Sequence, residues 1–101
     1  MADVRTSDAA LEELSQTLAY IQDSELIKRF LRSILTKYEV EEVATRWALV
    51  RLIDQGMSQR SIARELGLSL CKITRGSREL KKRDSAFRRV VDSYKRLALG
   101  A

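Results

Sequence analysis

The amino-acid sequence contains no proline, no histidine, one cysteine and only four glycines, and each absence narrows the possible structures. Because proline and glycine end helices and make turns, their scarcity predicts an all-α chain. The single Cys71 cannot form an internal disulfide, and without histidine a metal site is not expected. The sequence also lacks the histidines and paired carboxylates of a typical catalytic cleft, so we expect neither a cofactor nor an enzyme.

Long apolar runs are missing as well. There is no apolar stretch of about 18 residues and no signal-peptide pattern, which argues against a membrane span and favours the cytoplasm. A chain of 101 residues has the length of one domain, so we predict a single domain over residues 1–101.

The net charge of +5 is distributed unevenly along the chain. Residues 1–56 hold 7 Lys/Arg and 10 Asp/Glu, a net charge of −3, whereas residues 57–101 hold 12 Lys/Arg and 4 Asp/Glu, a net charge of +8. A solvated surface usually intersperses the two signs. A basic half beside a mildly acidic half therefore indicates a module that binds a polyanion such as DNA.

The stretch of residues 58–82 has the pattern of a helix-turn-helix. Two short amphipathic helices, each preceded by a serine suited to N-capping, meet at Gly67, which can adopt positive φ. Ala63 lets the helices approach, and Ile73 packs the second helix onto the first. A simple helical hairpin needs the same small and apolar residues but not a basic second helix. DNA binding is therefore favoured by its cations, which are Lys72, Arg75, Arg78, Lys81, Lys82 and Arg83.

Four further helices are predicted around this pair. A T-x-x-E capping box, Thr36 and Glu39, starts a helix that runs to about Gln55, and Asp84 is suited to cap the last helix. The helix after Thr36 is apolar over most of its circumference, so other helices must surround it. We expect an obligate dimer in which this helix packs against the partner subunit. The alternative is a monomeric bundle with one central helix.

Two strings in the sequence are distinctive. They are LT-x9-R, formed by Leu35, Thr36 and Arg46, and ITRGS, formed by Ile73–Ser77. Together with the order of six helices, these strings resemble the bacterial Trp repressor family. The resemblance implies an intertwined homodimer whose helix-turn-helix binds operator DNA and whose corepressor is L-tryptophan. The implied function is repression of tryptophan biosynthesis or transport genes, and the alternative is a related DNA-binding regulator with a different effector or none.

The resemblance also implies a site for the indole ring and the carboxylate of tryptophan. Arg46 and Arg75 match two arginines that sandwich the indole, where a guanidinium stacks on an aromatic face. Arg75 and Thr36 match the groups that receive the carboxylate. Each residue has a simpler interpretation: Thr36 as an N-cap, Arg46 as an ion-pair partner of Glu42, and Arg75 as a phosphate contact. The presence of all these residue types at the matching positions favours a ligand site.

The remaining ligand positions include two departures from the family. Backbone carbonyls near Ser33 and Leu35 match those that take the ammonium, and Gly76 matches the glycine that leaves room for the indole. A serine that helps to bind the ammonium is replaced here by Glu79, which can either take the ammonium or bridge to an arginine and block the site. A threonine at the mouth of the site is replaced by Lys72.

A symmetric dimer of this family places its two helix-turn-helices in successive major grooves, about 34 Å apart on a pseudo-palindromic operator. Gln59 and Arg60, at the start of the first helix, are placed to contact phosphates or an outer base. The residues expected to face base edges are Ser69, Leu70, Cys71, Lys72 and Thr74. The residues expected to contact the DNA backbone are Arg78, Lys81 and Lys82.

Overall fold

The structure, a computed structural model, describes residues 5–100, and this range folds entirely into helices and the short segments between them. The six helices are α1 (Ser7–Tyr20), α2 (Ser24–Ile34), α3 (Lys37–Asp54), α4 (Gln59–Leu66), α5 (Leu70–Lys81) and α6 (Ala86–Gly100). The predicted all-α class and the number of helices are confirmed. Within residues 5–100, no helix combines the length and the apolar character needed to cross a membrane.

The chain forms two compact units, one up to Val40 and one from Glu41 onwards. In the N-terminal unit, Thr6 caps α1 and Asp23 caps α2, each accepting a hydrogen bond of 3.1 Å from a backbone N–H. Neither α1 nor α2 has a buried residue. Both helices expose large apolar side chains to solvent in the single chain, namely Leu11, Leu26, Leu31 and Ile34.

The start of α3 has the predicted capping box. The Thr36 N–H donates to Glu39 Oε1 at 2.8 Å, and the Glu39 N–H donates to Thr36 Oγ1 at 3.1 Å. The pKa of Glu39 is lowered from its ordinary value because its carboxylate accepts the backbone hydrogen bond from Thr36. Thr36 therefore acts as an N-cap, which is the simpler of the two interpretations given above, the other being a contact with the ligand carboxylate.

Two groups of buried side chains hold the C-terminal unit together. One group joins α3 to α4 and α5, and the other joins α3 to α5 and α6. Their members are Leu49, Ile62 and Ile73 in the first group and Val50, Leu80 and Val91 in the second. Because α3 and α5 contribute a buried residue to both groups, these two helices form the centre of the unit.

The connection between α4 and α5 has the predicted geometry. Ser58 and Ser69 cap the two helices. The Ser58 hydroxyl accepts a hydrogen bond of 3.1 Å from the Ser61 N–H, and the Ser69 hydroxyl accepts one of 3.4 Å from the Lys72 N–H. Gly67 has φ of 64°, in the left-handed region, and ends α4. Ile73 is fully buried, as expected for the residue that packs α5 onto α4.

The predicted cap of the last helix is wrong by one residue. Asp84 has φ of 54° and precedes the cap. Ser85 caps α6 instead, because its Oγ accepts a hydrogen bond of 3.0 Å from the Arg88 N–H. The same hydroxyl donates to the Glu79 carbonyl at 2.7 Å, which attaches the start of α6 to the end of α5. A serine at this position therefore satisfies two partners.

A second attachment joins α6 to the C-terminal end of α3. Asp54, whose side chain is only 10% exposed, pairs with Arg88 and, at 3.0 Å, with Lys95. The pKa of Asp54 is lowered, mainly by the hydrogen bond from Arg88 and then by that from Lys95. The carboxylate therefore stays ionised and holds two turns of α6 against the end of α3.

Candidate functional site

A cavity of about 230 Å³ lies between α3, α5 and the first turn of α6. The side chains reach it because residues three and four apart share a helix face. The cavity is lined by Arg46, Leu49 and Val50 of α3, by Lys72, Arg75, Gly76 and Glu79 of α5, and by Phe87 of α6. Four positions predicted as ligand-binding, Arg46, Arg75, Gly76 and Glu79, thus meet in one place.

Gly76 lets α3 and α5 approach closely beside this cavity. A Cβ at this position would lie 3.1 Å from Leu49 Cδ2 and 3.6 Å from Ile53 Cδ1. The first distance is tighter than an ordinary van der Waals contact, and Leu49 is only 3% exposed. The missing side chain at Gly76 therefore sets the spacing of the two helices that form the cavity walls.

The charged groups around the cavity are three cations, Arg46, Lys72 and Arg75, and the carboxylate of Glu79. Glu79 Oε1 accepts a hydrogen bond of 2.8 Å from Lys82 Nζ. The pKa of Glu79 is lowered, mainly by this hydrogen bond, with a smaller contribution from Arg75. An ionised carboxylate and a guanidinium thus lie one turn apart on α5, an arrangement that can hold the two ends of a zwitterion.

Glu42, near this cavity, has two cationic partners, and the sequence indicated only one of them. Its Oε2 lies 3.6 Å from Arg46 Nη2, the ion pair that sequence spacing allowed. Its Oε1 lies 3.6 Å from Lys72 Nζ on α5. A Glu–Arg pair four residues apart has a local signature, whereas the pairing of residues 42 and 72 has none.

The predicted ligand residues of the N-terminal unit have local roles there. Ser33 Oγ donates to the Arg29 carbonyl at 3.1 Å, and the Leu35 N–H donates to the Leu31 carbonyl at 3.1 Å. Thr36 forms the capping box of α3. The ligand roles of Ser33, Leu35 and Thr36 stay predictions.

Most of the predicted DNA-contacting residues share the outer surface of α4 and α5. Leu70, Cys71, Thr74, Arg75 and Arg78 line a shallow depression on α5. The residues that are exposed at the ends of the two helices are Gln59, Arg60, Ser69, Lys81 and Lys82. Lys72 differs from its neighbours, because its ammonium pairs with α3.

An aromatic cluster contains Phe87, one of the residues that line the cavity. Trp47 stacks on Phe87 with ring centroids 6.1 Å apart and meets Tyr94 edge-on at the same distance. The Arg51 guanidinium lies 3.9 Å from the centroid of the Tyr94 ring. These contacts fix Phe87, the cavity residue of α6, against α3.

Comparisons with known proteins identify the family of this chain. The family model described as "Trp repressor protein" matches residues 9–95. A "Trp operon repressor homolog" of Chlamydia caviae is 35% identical over 77 residues, which cover 75% of this chain and 76% of the relative. A protein of the same description from Xylella fastidiosa strain M23 is 35% identical over 74 residues, covering 72% of this chain and 80% of the relative. No solved structure matches the chain significantly. The chain belongs to the Trp repressor family, a family of regulators and not of enzymes.

Proposed function

We propose that this protein is a homodimeric, DNA-binding transcriptional repressor that L-tryptophan activates and that acts on tryptophan biosynthesis or transport genes. The observation that supports the proposal best is the cavity in which Arg46 and Arg75 meet beside Gly76. Its volume of about 230 Å³ lies below the roughly 300–1,000 Å³ of sites for drug-sized ligands, so it suits a single amino acid.

The chemistry of the cavity walls matches that of tryptophan. The guanidinium groups of Arg46 and Arg75 offer planar cations for the indole faces, and Arg75 also attracts the carboxylate. Glu79 is ionised, and it can accept a hydrogen bond from the ligand ammonium if that bond replaces the one from Lys82. In this proposal Thr36 and the carbonyls near Ser33 and Leu35 complete the site, as the family resemblance implies.

DNA binding is supported by charge and by exposure. The C-terminal half carries a net charge of +8, and the N-terminal turns of α5 expose Leu70 and Cys71, with Thr74 half-buried, for contact with base edges. The uncovered apolar faces of α1 and α2 support a dimer, because a second copy of the chain would bury them. The cytoplasm is the compartment in which such a repressor meets DNA.

Calorimetric titration with L-tryptophan tests the ligand, with indole-3-acetate and L-phenylalanine as comparison ligands. We expect one site per chain for L-tryptophan in the wild type and no measurable binding in Arg75→Ala. Arg64→Ala is the matched control, because it removes an equal charge from the exposed side of α4 and leaves the cavity intact. Full tryptophan binding by Arg75→Ala would contradict the assignment of the cavity.

A duplex recovered by in vitro selection from a random library tests DNA binding. We expect the affinity to fall steeply with salt, as counterion release requires, and to rise about 5–150-fold on saturation with L-tryptophan. Lys72→Ala should relax the choice of operator. Salt-dependent binding with no response to L-tryptophan would favour the second candidate function, a regulator with another effector or none, to which the charged Lys72 in the cavity wall also points.

A further inference from the structure

Lys72 belongs to both of the sites described above. It lines the cavity, and it lies in the first turn of α5, where its N–H donates to the N-cap Ser69. Its Nζ lies 3.6 Å from Glu42 Oε1 on α3. The Glu42 side chain is 29% exposed and that of Lys72 is 56% exposed, so both groups retain access to water and to other charged partners.

The position of Lys72 in α5 makes an anionic partner important. The N-terminal end of a helix carries a partial positive charge, which disfavours a cation in the first turn. The first turn of α5 contains no acidic residue that would offset this effect. Glu42 supplies the missing anion from α3 in the free protein, and a DNA phosphate would supply it in a complex, where the neutral O6 and N7 of guanine could also accept hydrogen bonds from the ammonium.

We propose that Glu42 competes with DNA for Lys72, so that this ion pair lowers the DNA affinity of the free protein. The inference rests on the proposed DNA binding and adds a regulatory contact to it. For Lys72 to meet DNA, its ammonium must leave Glu42 and turn toward the outer surface of α5, where Leu70 and Cys71 are exposed. The flexible lysine stem permits this movement without any shift of the helix.

A double-mutant cycle isolates this contact. Glu42→Gln keeps the shape of the side chain and removes its charge. Glu41→Gln is the matched control, because it removes the same charge from the adjacent, exposed position of α3. Lys72→Met provides the background in which the ion pair does not exist. The measurement is fluorescence anisotropy of the ligand-free proteins on the selected duplex, at one low salt concentration.

We expect Glu42→Gln to bind the duplex about 1.5- to 5-fold more tightly than Glu41→Gln, the range set by an ion pair between partly exposed groups. In the Lys72→Met background the two glutamine variants should bind equally. Glu42→Asp provides a second test at constant net charge, since it withdraws the carboxylate from Lys72 by one methylene. It should also tighten DNA binding, and it replaces Glu42→Gln if circular dichroism shows that the latter does not fold.

Each other outcome overturns the inference, in a distinguishable way. Equal affinities of Glu42→Gln and Glu41→Gln with Lys72 present would show that Glu42 does not compete, while DNA binding itself stands. An equal advantage of Glu42→Gln in the Lys72→Met background would assign the effect to another partner of Glu42, such as Arg46. If no variant bound the selected duplex in a salt-dependent manner, both the competition and the proposed function would be refuted.

Discussion

Replacement of Asp54 by asparagine removes the carboxylate that attaches α6 to the end of α3. Asp54 pairs with Arg88 and Lys95, and its side chain is only 10% exposed. The two cations are 38% and 49% exposed, so they stay hydrated after the substitution and no buried charge is stranded. The expected loss of unfolding free energy is thus that of a charged hydrogen bond plus an exposed ion pair, about 2 kcal/mol.

The effect of Asp54→Asn should depend on pH. Because the folded protein lowers the pKa of Asp54, its ion pairs stabilise the protein fully above the pKa of the unfolded chain. This stabilisation is lost as the pH falls through the folded pKa, where the carboxylate becomes protonated. The difference in stability between wild type and Asp54→Asn should therefore be largest near pH 7 and should shrink progressively below about pH 4.

Urea denaturation followed by far-UV circular dichroism measures this difference, at one protein concentration because the stability of the proposed dimer would depend on it. Asp92→Asn is the matched control. Asp92 lies 3.5 Å from Arg88 and 3.9 Å from Lys95, but its side chain is 45% exposed, so its loss should cost well under 1 kcal/mol. If the two variants lost equal stability, or if the gap did not close in acid, the reasoning would be refuted.

Two glycines give further predictions. Gly67→Ala should destabilise the protein by about 1 kcal/mol in urea denaturation, because φ of 64° is unfavourable for alanine, and Gly67→Asn should cost less. Gly76→Ala adds helix propensity of about 1 kcal/mol but places a Cβ 3.1 Å from Leu49, and overpacking costs about 1–3 kcal/mol. We therefore expect no gain in stability from Gly76→Ala together with weaker ligand binding in calorimetry, whereas a stabilised variant would show that Leu49 yields freely.

The local features of the fold could be predicted from the sequence because they depend on neighbours within one or two helical turns. The capping box of Thr36 and Glu39 and the left-handed Gly67 between two capped helices all follow from hydrogen bonds between residues close in the chain. The cap of α6 shows the limit of this reasoning. Asp84 and Ser85 are both good capping residues, and the hydrogen bond from Ser85 to the Glu79 carbonyl decided between them.

The candidate site was predictable in its residues more than in its contacts. The ITRGS string and Arg46 located two walls of the cavity, since helical periodicity aligns Lys72, Arg75 and Glu79 on one face of α5. The ion pairs that join different helices had no such signal. In the pairs Glu42–Lys72 and Asp54–Arg88, the two residues lie on different helices and far apart in the sequence. Only the packing of the helices brings them together.

The aromatic stack of Trp47 has a spectroscopic consequence. Trp47 is the only tryptophan of the chain, and its ring contacts with Phe87 and Tyr94 lie within the C-terminal unit. Its emission therefore reports the unfolding of that unit, whereas far-UV circular dichroism reports the helices of both units. Coincident transitions in the two signals would show that the chain unfolds cooperatively, and separate transitions would give each unit its own stability.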